Sequence, residues 1–180
     1  MEMGWQLASS FGAALAEWNA FYTAVAGVSA TLVGLLFVAL ALRPEVMRDD
    51  GPSGLRVWSG QTFHNFLVVL VVALIALIPD DSRSTLVITL AIVGVQGIVR
   101  VALDLRRTRS DPDPNWSGLP AMIRFVSPTI AYLLCLWLTL AFWRGDGDAL
   151  GWLVAVVFLL MMSAVSNCWD LLKAIGGQRG

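Results

Sequence analysis

The sequence predicts an all-α, polytopic transmembrane bundle of five spans, forming one integral membrane domain over residues 1–180. Three observations carry this. Five apolar stretches of span length are separated by short charged segments, 57% of the residues are hydrophobic and only 14% are charged, and the mean hydropathy is +0.72. A span needs about 20 mostly apolar residues to cross a hydrocarbon core of roughly 30 Å. A soluble domain of 180 residues has too little interior to hide that much apolar surface.

Taken in chain order, Phe11, Leu15, Trp18 and Tyr22 repeat at helical spacing, which predicts a short interfacial helix over about residues 4–16 leading into the first span. That span covers about residues 18–42. The first positive charge is Arg43, so the opening segment lacks the basic region of a secretory signal, and the first span is expected to remain in the mature protein. The other spans cover about residues 61–78, 84–105, 123–143 and 150–172. Residues 43–60 and 106–122 read as loops, the second stiffened by Asp111-Pro112-Asp113-Pro114 and by Pro120. Pro128, flanked by Ser127 and Thr129, predicts a kink in the fourth span through its missing backbone donor.

Basic residues set the expected orientation, because Lys and Arg resist translocation whereas Asp and Glu matter little. With five spans, one side holds only Arg83 and Arg144. The other holds Arg43, Arg48, Arg56, Arg106, Arg107, Arg109, Arg124, Lys173 and Arg179, nine against two. This places the N-terminus outside and the C-terminus in the cytoplasm. A four-span reading would break the charge separation. Trp18, Trp143 and Trp152 fall at the expected outer boundary and Trp58, Trp116 and Trp169 near the inner one, as amphipathic rings at headgroup level do.

In the first span Ala26, Ala30 and Gly34 stand four apart, with Gly27 and Thr31 one step round the same side. Small residues at this spacing let helix backbones approach closely in lipid. The face is either a self-association surface or a packing face within one chain.

Polar groups cluster at one depth. Gln61, His64 and Asn65 share a face at the start of the second span. Gln96, Arg100 and Asp104 share one near the end of the third, and Ser163, Asn167 and Asp170 one near the end of the fifth. All lie within roughly 15 Å of the arginine-rich boundary by helical rise. Ionisable groups at such depth cost about 2.5–3.5 kcal/mol each on insertion scales, so they face protein or water. Two arrangements follow: a polar vestibule open to the cytoplasm, with Arg100 held by Asp104 or Asp170 and His64 titrating, or a hydrogen-bonded plug that locks the helices, with Arg100 and Lys173 snorkelling to the headgroups. The plug is the simpler account, because Arg100 and Asp104 are one turn apart and could neutralise each other.

Chemistry is narrowly bounded. His64 is the only histidine, which excludes a three-histidine zinc site, bis-histidine haem and an H-E-x-x-H helix within one chain. A Ser59, His64 and Asp170 triad can be assembled on paper, but such residues are too common for the set to count. Cys135 and Cys168 differ in depth by roughly 15 Å, too far for a disulfide, and are expected to be free thiols. The arginine-rich loops carry interspersed acids and the net charge is −1, the pattern of topogenic charge and not of nucleic-acid binding. No catalytic residue, metal or cofactor is expected.

The run Trp18-Asn19-Ala20-Phe21-Tyr22, then Ala30-Thr31-Leu32-Val33-Gly34-Leu35-Leu36-Phe37-Val38-Ala39-Leu40, and finally Asn167-Cys168-Trp169-Asp170-Leu171 resembles a group of small bacterial integral membrane proteins. Their pattern reads W-x-x-F-Y, A-T-L-x-G-L-L-F-V-A and, near the C-terminus, N-A-W-D-L. Cys168 stands where the pattern has Ala. Some members are labelled modulators of a membrane-anchored ATP-dependent protease. The resemblance implies a bacterial inner (cytoplasmic) membrane and brings no catalytic residues with it. The expected function is a non-catalytic helix bundle that associates with itself or a larger membrane complex as a regulatory or accessory subunit. The alternative is a homo-oligomeric ion or small-solute pore. The partners expected in either case are the lipid bilayer and other membrane helices.

Overall fold

The computed structural model describes residues 16–42, 53–78, 82–110, 124–146 and 149–177, with the backbone alone for 53–57, 82 and 171–177. Five helices account for nearly all of them: α1 Asn19–Ala41, α2 Ser53–Ala76, α3 Ser82–Arg109, α4 Val126–Arg144 and α5 Leu150–Gly177. Each is long and apolar enough to cross a membrane. The helical state follows from the solvent, since in hydrocarbon every backbone N–H and C=O must be satisfied within the segment. The threonines obey the same rule: the hydroxyls of Thr31, Thr62 and Thr139 donate to the carbonyls of Gly27, Trp58 and Cys135 four residues back.

Helix bounds depart from the apolar runs in both directions: α4 begins at Val126, three residues inside the expected 123, and α2 ends at Ala76, two short of the expected 78. The stretch 53–60, expected as loop, is the first two turns of α2, and α3 and α5 run four to five residues beyond the expected 105 and 172. Hydropathy marks where hydrocarbon ends, whereas a helix continues into the headgroup region for as long as its polar residues are solvated. Pro128 lies in the first turn of α4, where no intrahelical donor exists to be lost; the expected kink has no bond to break. The interfacial helix expected over 4–16 falls almost wholly on residues 1–15, outside the described residues.

Helices α2, α3, α4 and α5 form a closed ring in which each packs on its two neighbours, and α1 lies outside it against α2. One core cluster runs through all five, with Leu86, Leu90, Leu138, Leu153 and Leu160 fully enclosed. A smaller cluster of Leu36, Phe66 and Ala164 seats the second half of α1. α2 is the most enclosed of the helices and α1 the least.

The α3–α4 seam is set by two glycines. A Cβ on Gly97 would lie 2.3–2.4 Å from Tyr132 ring atoms, and one on Gly94 would lie 2.6 Å from Leu136 Cδ2. At one end of this seam α4 closes in a Schellman turn, with Gly145 at φ 92° and the Asp146 N–H donating to Ala141 O. Arg83, at the start of α3, donates to Phe142 O at 2.9 and 2.7 Å and to Trp143 O at 3.3 Å. It thereby joins the Gly145 N–H as a second donor to Phe142 O, and it complements the negative end of the helix dipole.

Candidate functional site

The polar groups assemble in layers between α2, α4 and α5. At the centre is Asn65, fully buried. A primary amide can accept and donate at once, and Asn65 does both: Tyr132 Oη donates to its Oδ1 at 2.9 Å, and its Nδ2 donates to Ser163 Oγ at 3.3 Å. One side chain therefore ties three helices together. Ser127 adds a second α4–α5 tie by donating to Leu159 O at 3.0 Å.

One turn nearer the arginine-rich end, Gln61 and Asn167 stand four residues from Asn65 and Ser163, and both are buried. Gln61 Nε2 and Asn167 Nδ2 have no hydrogen-bond partner among the described residues, and buried amides of this kind are normally met by a water or ligand oxygen. The outermost layer is ionic. Arg124 pairs with Asp170 Oδ2 at 3.2 Å, and its guanidinium carbon lies 4.2 Å from the Trp58 ring centroid. The start of α2, the start of α4 and the end of α5 are joined there. Trp58, expected among the headgroups, is buried beneath this arginine.

Arg124→Leu removes the ion pair and the ring contact together. With both charged side chains about a quarter exposed, the expected loss is about 1–2 kcal/mol, made up of up to ~1 for the pair and ~0.5–1 for the cation–π contact. Arg124→Lys keeps the charge without the planar stack and should fall between the two in denaturant titrations in mixed micelles. A lysine variant as stable as the wild type would remove the stacking contribution.

The α3 group does not join these layers. Gln96 and Arg100 are exposed, and Asp104 is buried. Among the described residues, Arg100 pairs with neither Asp104 nor Asp170, contrary to expectation. Its Nη2 donates to Gly60 O at 3.4 Å, while Asp104 meets Arg107 at 3.6 Å and Asp170 meets Arg124. The reason is helix rotation: α3 turns Leu90, Gly94, Gly97 and Val101 inward, which leaves Gln96 and Arg100 on its outer side. His64 and Gln96 do share the wall of a lateral pocket of about 340 Å³ between α2 and α3, together with Leu67, Val71 and Ile92. His64 Nε2 has no hydrogen-bond partner among the described residues, and its ring centroid lies 6.3 Å from that of Tyr132.

On α1, only Ala26 of the small-residue face is buried. Gly27, Ala30, Thr31 and Gly34 are exposed, and a Cβ on Gly27 or Gly34 would meet nothing within 4 Å. Cys135 and Cys168 are free, and no metal-binding group of three or more His, Cys, Asp or Glu residues occurs among the described residues.

Sequence reasoning passed over Tyr132, Gly94, Gly97, Arg83 and the Trp58–Arg124 contact. A tyrosine in mid-span was the one available signal, since its hydroxyl must find a partner in lipid. The glycines and arginines carried none, because their roles depend on which helix lies opposite.

Fold and site together define a multi-pass membrane protein, a five-helix bundle whose interior is held by hydrogen bonds between helices. Comparison with protein-family models, curated proteins and solved structures finds no match.

Proposed function

We propose that the protein is a non-catalytic subunit of a membrane complex, acting through helix–helix association as a regulatory or accessory component. The observation that carries this is α1, whose small-residue side at Gly27, Ala30, Thr31 and Gly34 is exposed, with no described residue within 4 Å of a Cβ on Gly27 or Gly34. In lipid, association depends on backbones approaching closely, and such a side offers that approach. The polar layers of the ring serve cohesion, because Asn65, Tyr132 and Ser163 are hydrogen-bonded to one another. The pore alternative draws less support: Gln61, Asn65 and Asn167 are buried within one protomer and do not line an outer face.

The nine-to-two charge bias supports an N-terminus outside and a cytoplasmic C-terminus. The resemblance carried by Trp18 to Tyr22, Ala30 to Leu40 and Asn167 to Leu171 supports a bacterial inner membrane.

The test is the native mass of the full chain in mild detergent, followed by liposome ion flux on the same sample. The wild type should run as an assembly without flux. Gly34→Leu should weaken assembly about tenfold, from ~1–3 kcal/mol of overpacking at the interface, yet leave the fold intact because no described residue lies within 4 Å of a Cβ at that position. A wild type that is monomeric in bilayer nanodiscs and captures no other membrane protein would end this reading, and selective flux would replace it with the pore.

A further inference from the structure

We infer that the groove between α1, α2 and α3 at the arginine-rich end is a binding site for an anionic membrane lipid, with Arg100 holding the headgroup and one acyl chain lying in the groove. The groove measures about 540 Å³ and is lined by Phe37, Leu40 and Ala41 of α1, Ser59, Gly60 and Phe63 of α2, and Arg100 of α3. Its size falls in the range of ligand sites, about 300–1,000 Å³. Its wall is apolar except for Ser59 and, at one end, the guanidinium.

Among the described residues Arg100 forms no ion pair, and Asp104, one turn away, acts on its charge only through space. Its one hydrogen bond among the described residues is the 3.4 Å contact to Gly60 O, near the outer limit for such a bond, and most of its five donors meet no described residue. Asp104 and Asp170, the acids expected to neutralise it, are engaged by Arg107 and Arg124. The position is also inside a span. Arg100 lies 17 residues beyond Arg83, about 26 Å along α3, so with Arg83 at one boundary it sits just within the far edge of a core roughly 30 Å thick. A guanidinium there reaches the level of lipid phosphates by snorkelling, and its planar fork matches a phosphate bidentately. Basic pockets between spans at this level are where anionic headgroups bind.

An acyl chain needs an apolar slot beside the headgroup, and α1 supplies one wall of it. Exposed Phe37 and half-buried Leu40 face Phe63 across the groove. A zwitterionic lipid would fill the same slot, but its own ammonium would compete with Arg100 for the phosphate. The site therefore selects on net headgroup charge.

The test uses the full chain, purified in mild detergent and titrated by native mass spectrometry with phosphatidylglycerol and with phosphatidylcholine of the same acyl chains. The wild type should bind phosphatidylglycerol about tenfold more tightly, the factor expected from a charge-assisted hydrogen bond. Arg100→Gln should erase that preference while leaving phosphatidylcholine binding unchanged. Ala41→Phe, which fills the slot without touching the charge, should weaken both lipids. Equal affinity for the two lipids in the wild type, or an unchanged preference in Arg100→Gln, would overturn the assignment. Competition by millimolar inorganic phosphate against both lipids would likewise overturn it, by making the site one for soluble phosphate.

Discussion

Gly97→Ala is expected to destabilise the bundle by about 3 kcal/mol, the upper end of the overpacking range, although it adds a single methyl group. That methyl would arrive 2.3–2.4 Å from Cδ1, Cε1 and Cγ of Tyr132. Two of these atoms belong to the inner edge of the ring and cannot swing aside as a flexible chain end would. The ring is 1% exposed and its hydroxyl is committed to Asn65 at 2.9 Å. Either α3 and α4 separate, losing the contacts of the seam, or the ring moves and the hydrogen bond goes with it. In an exposed helix the same change would be favourable by about 1 kcal/mol through helix propensity. Gly34→Ala supplies the control, since its methyl meets nothing within 4 Å, and it should be neutral or slightly stabilising. Unfolding both variants by SDS titration separates the readings. Similar stabilities for the two would show that the α3–α4 contact is not close packed.

Asn65→Val is the second large effect, expected at about 2 kcal/mol. It strands two hydroxyls, but unequally. Ser163 is the acceptor in its bond, so the change leaves one of its lone pairs unfilled. Tyr132 is the donor in its bond, and its hydroxyl is held far from its own backbone in a site closed to solvent. An unsatisfied buried donor costs about 1–3 kcal/mol, so most of the loss belongs to Tyr132. Adding Tyr132→Phe to Asn65→Val should then cost less than the two single changes together. The coupling energy is expected near 1 kcal/mol, within the ~0.6 average and ~1.7 maximum of hydrogen bonds between membrane helices. Strict additivity would mean that the hydroxyl and the amide do not depend on each other. Full loss of the fold in Asn65→Val alone would mean that the amide is worth more than any such bond.

These two positions also mark how far the sequence could be read. Asn65 stood out as a polar side chain inside an apolar run, as did Gln61, His64 and Asn167, because polar side chains in hydrocarbon are costly and few. Gly97 did not. Glycine in a membrane helix is common, and nothing in Gly94-Val95-Gln96-Gly97 says that a tyrosine from another helix will fill the space. Arg100 was legible as a charge at depth, but its expected acids proved to be paired elsewhere: Asp104 is one turn away and yet holds Arg107, and Asp170 holds Arg124. The small-residue face of α1 was legible as a close-approach surface, and only the positions of the other four helices show that Gly27, Ala30 and Gly34 are left uncovered.

By itself, then, the sequence determined the number of spans, their approximate limits, the uneven division of charge between the two ends, and the depth of the polar residues. All of these are transfer properties of short segments between water and hydrocarbon, and they need no knowledge of neighbours. The tertiary structure alone decided which helices touch, that α2 to α5 close a ring with α1 outside, that one amide serves three helices, and that Arg124 and not Arg100 closes the polar layers. The physical reason is that lipid is as apolar as leucine. With no hydrophobic gradient between lipid and the bundle interior, helix rotation is set by close packing and hydrogen bonds between residues distant in sequence, as between Gly97 and Tyr132 or Asn65 and Ser163.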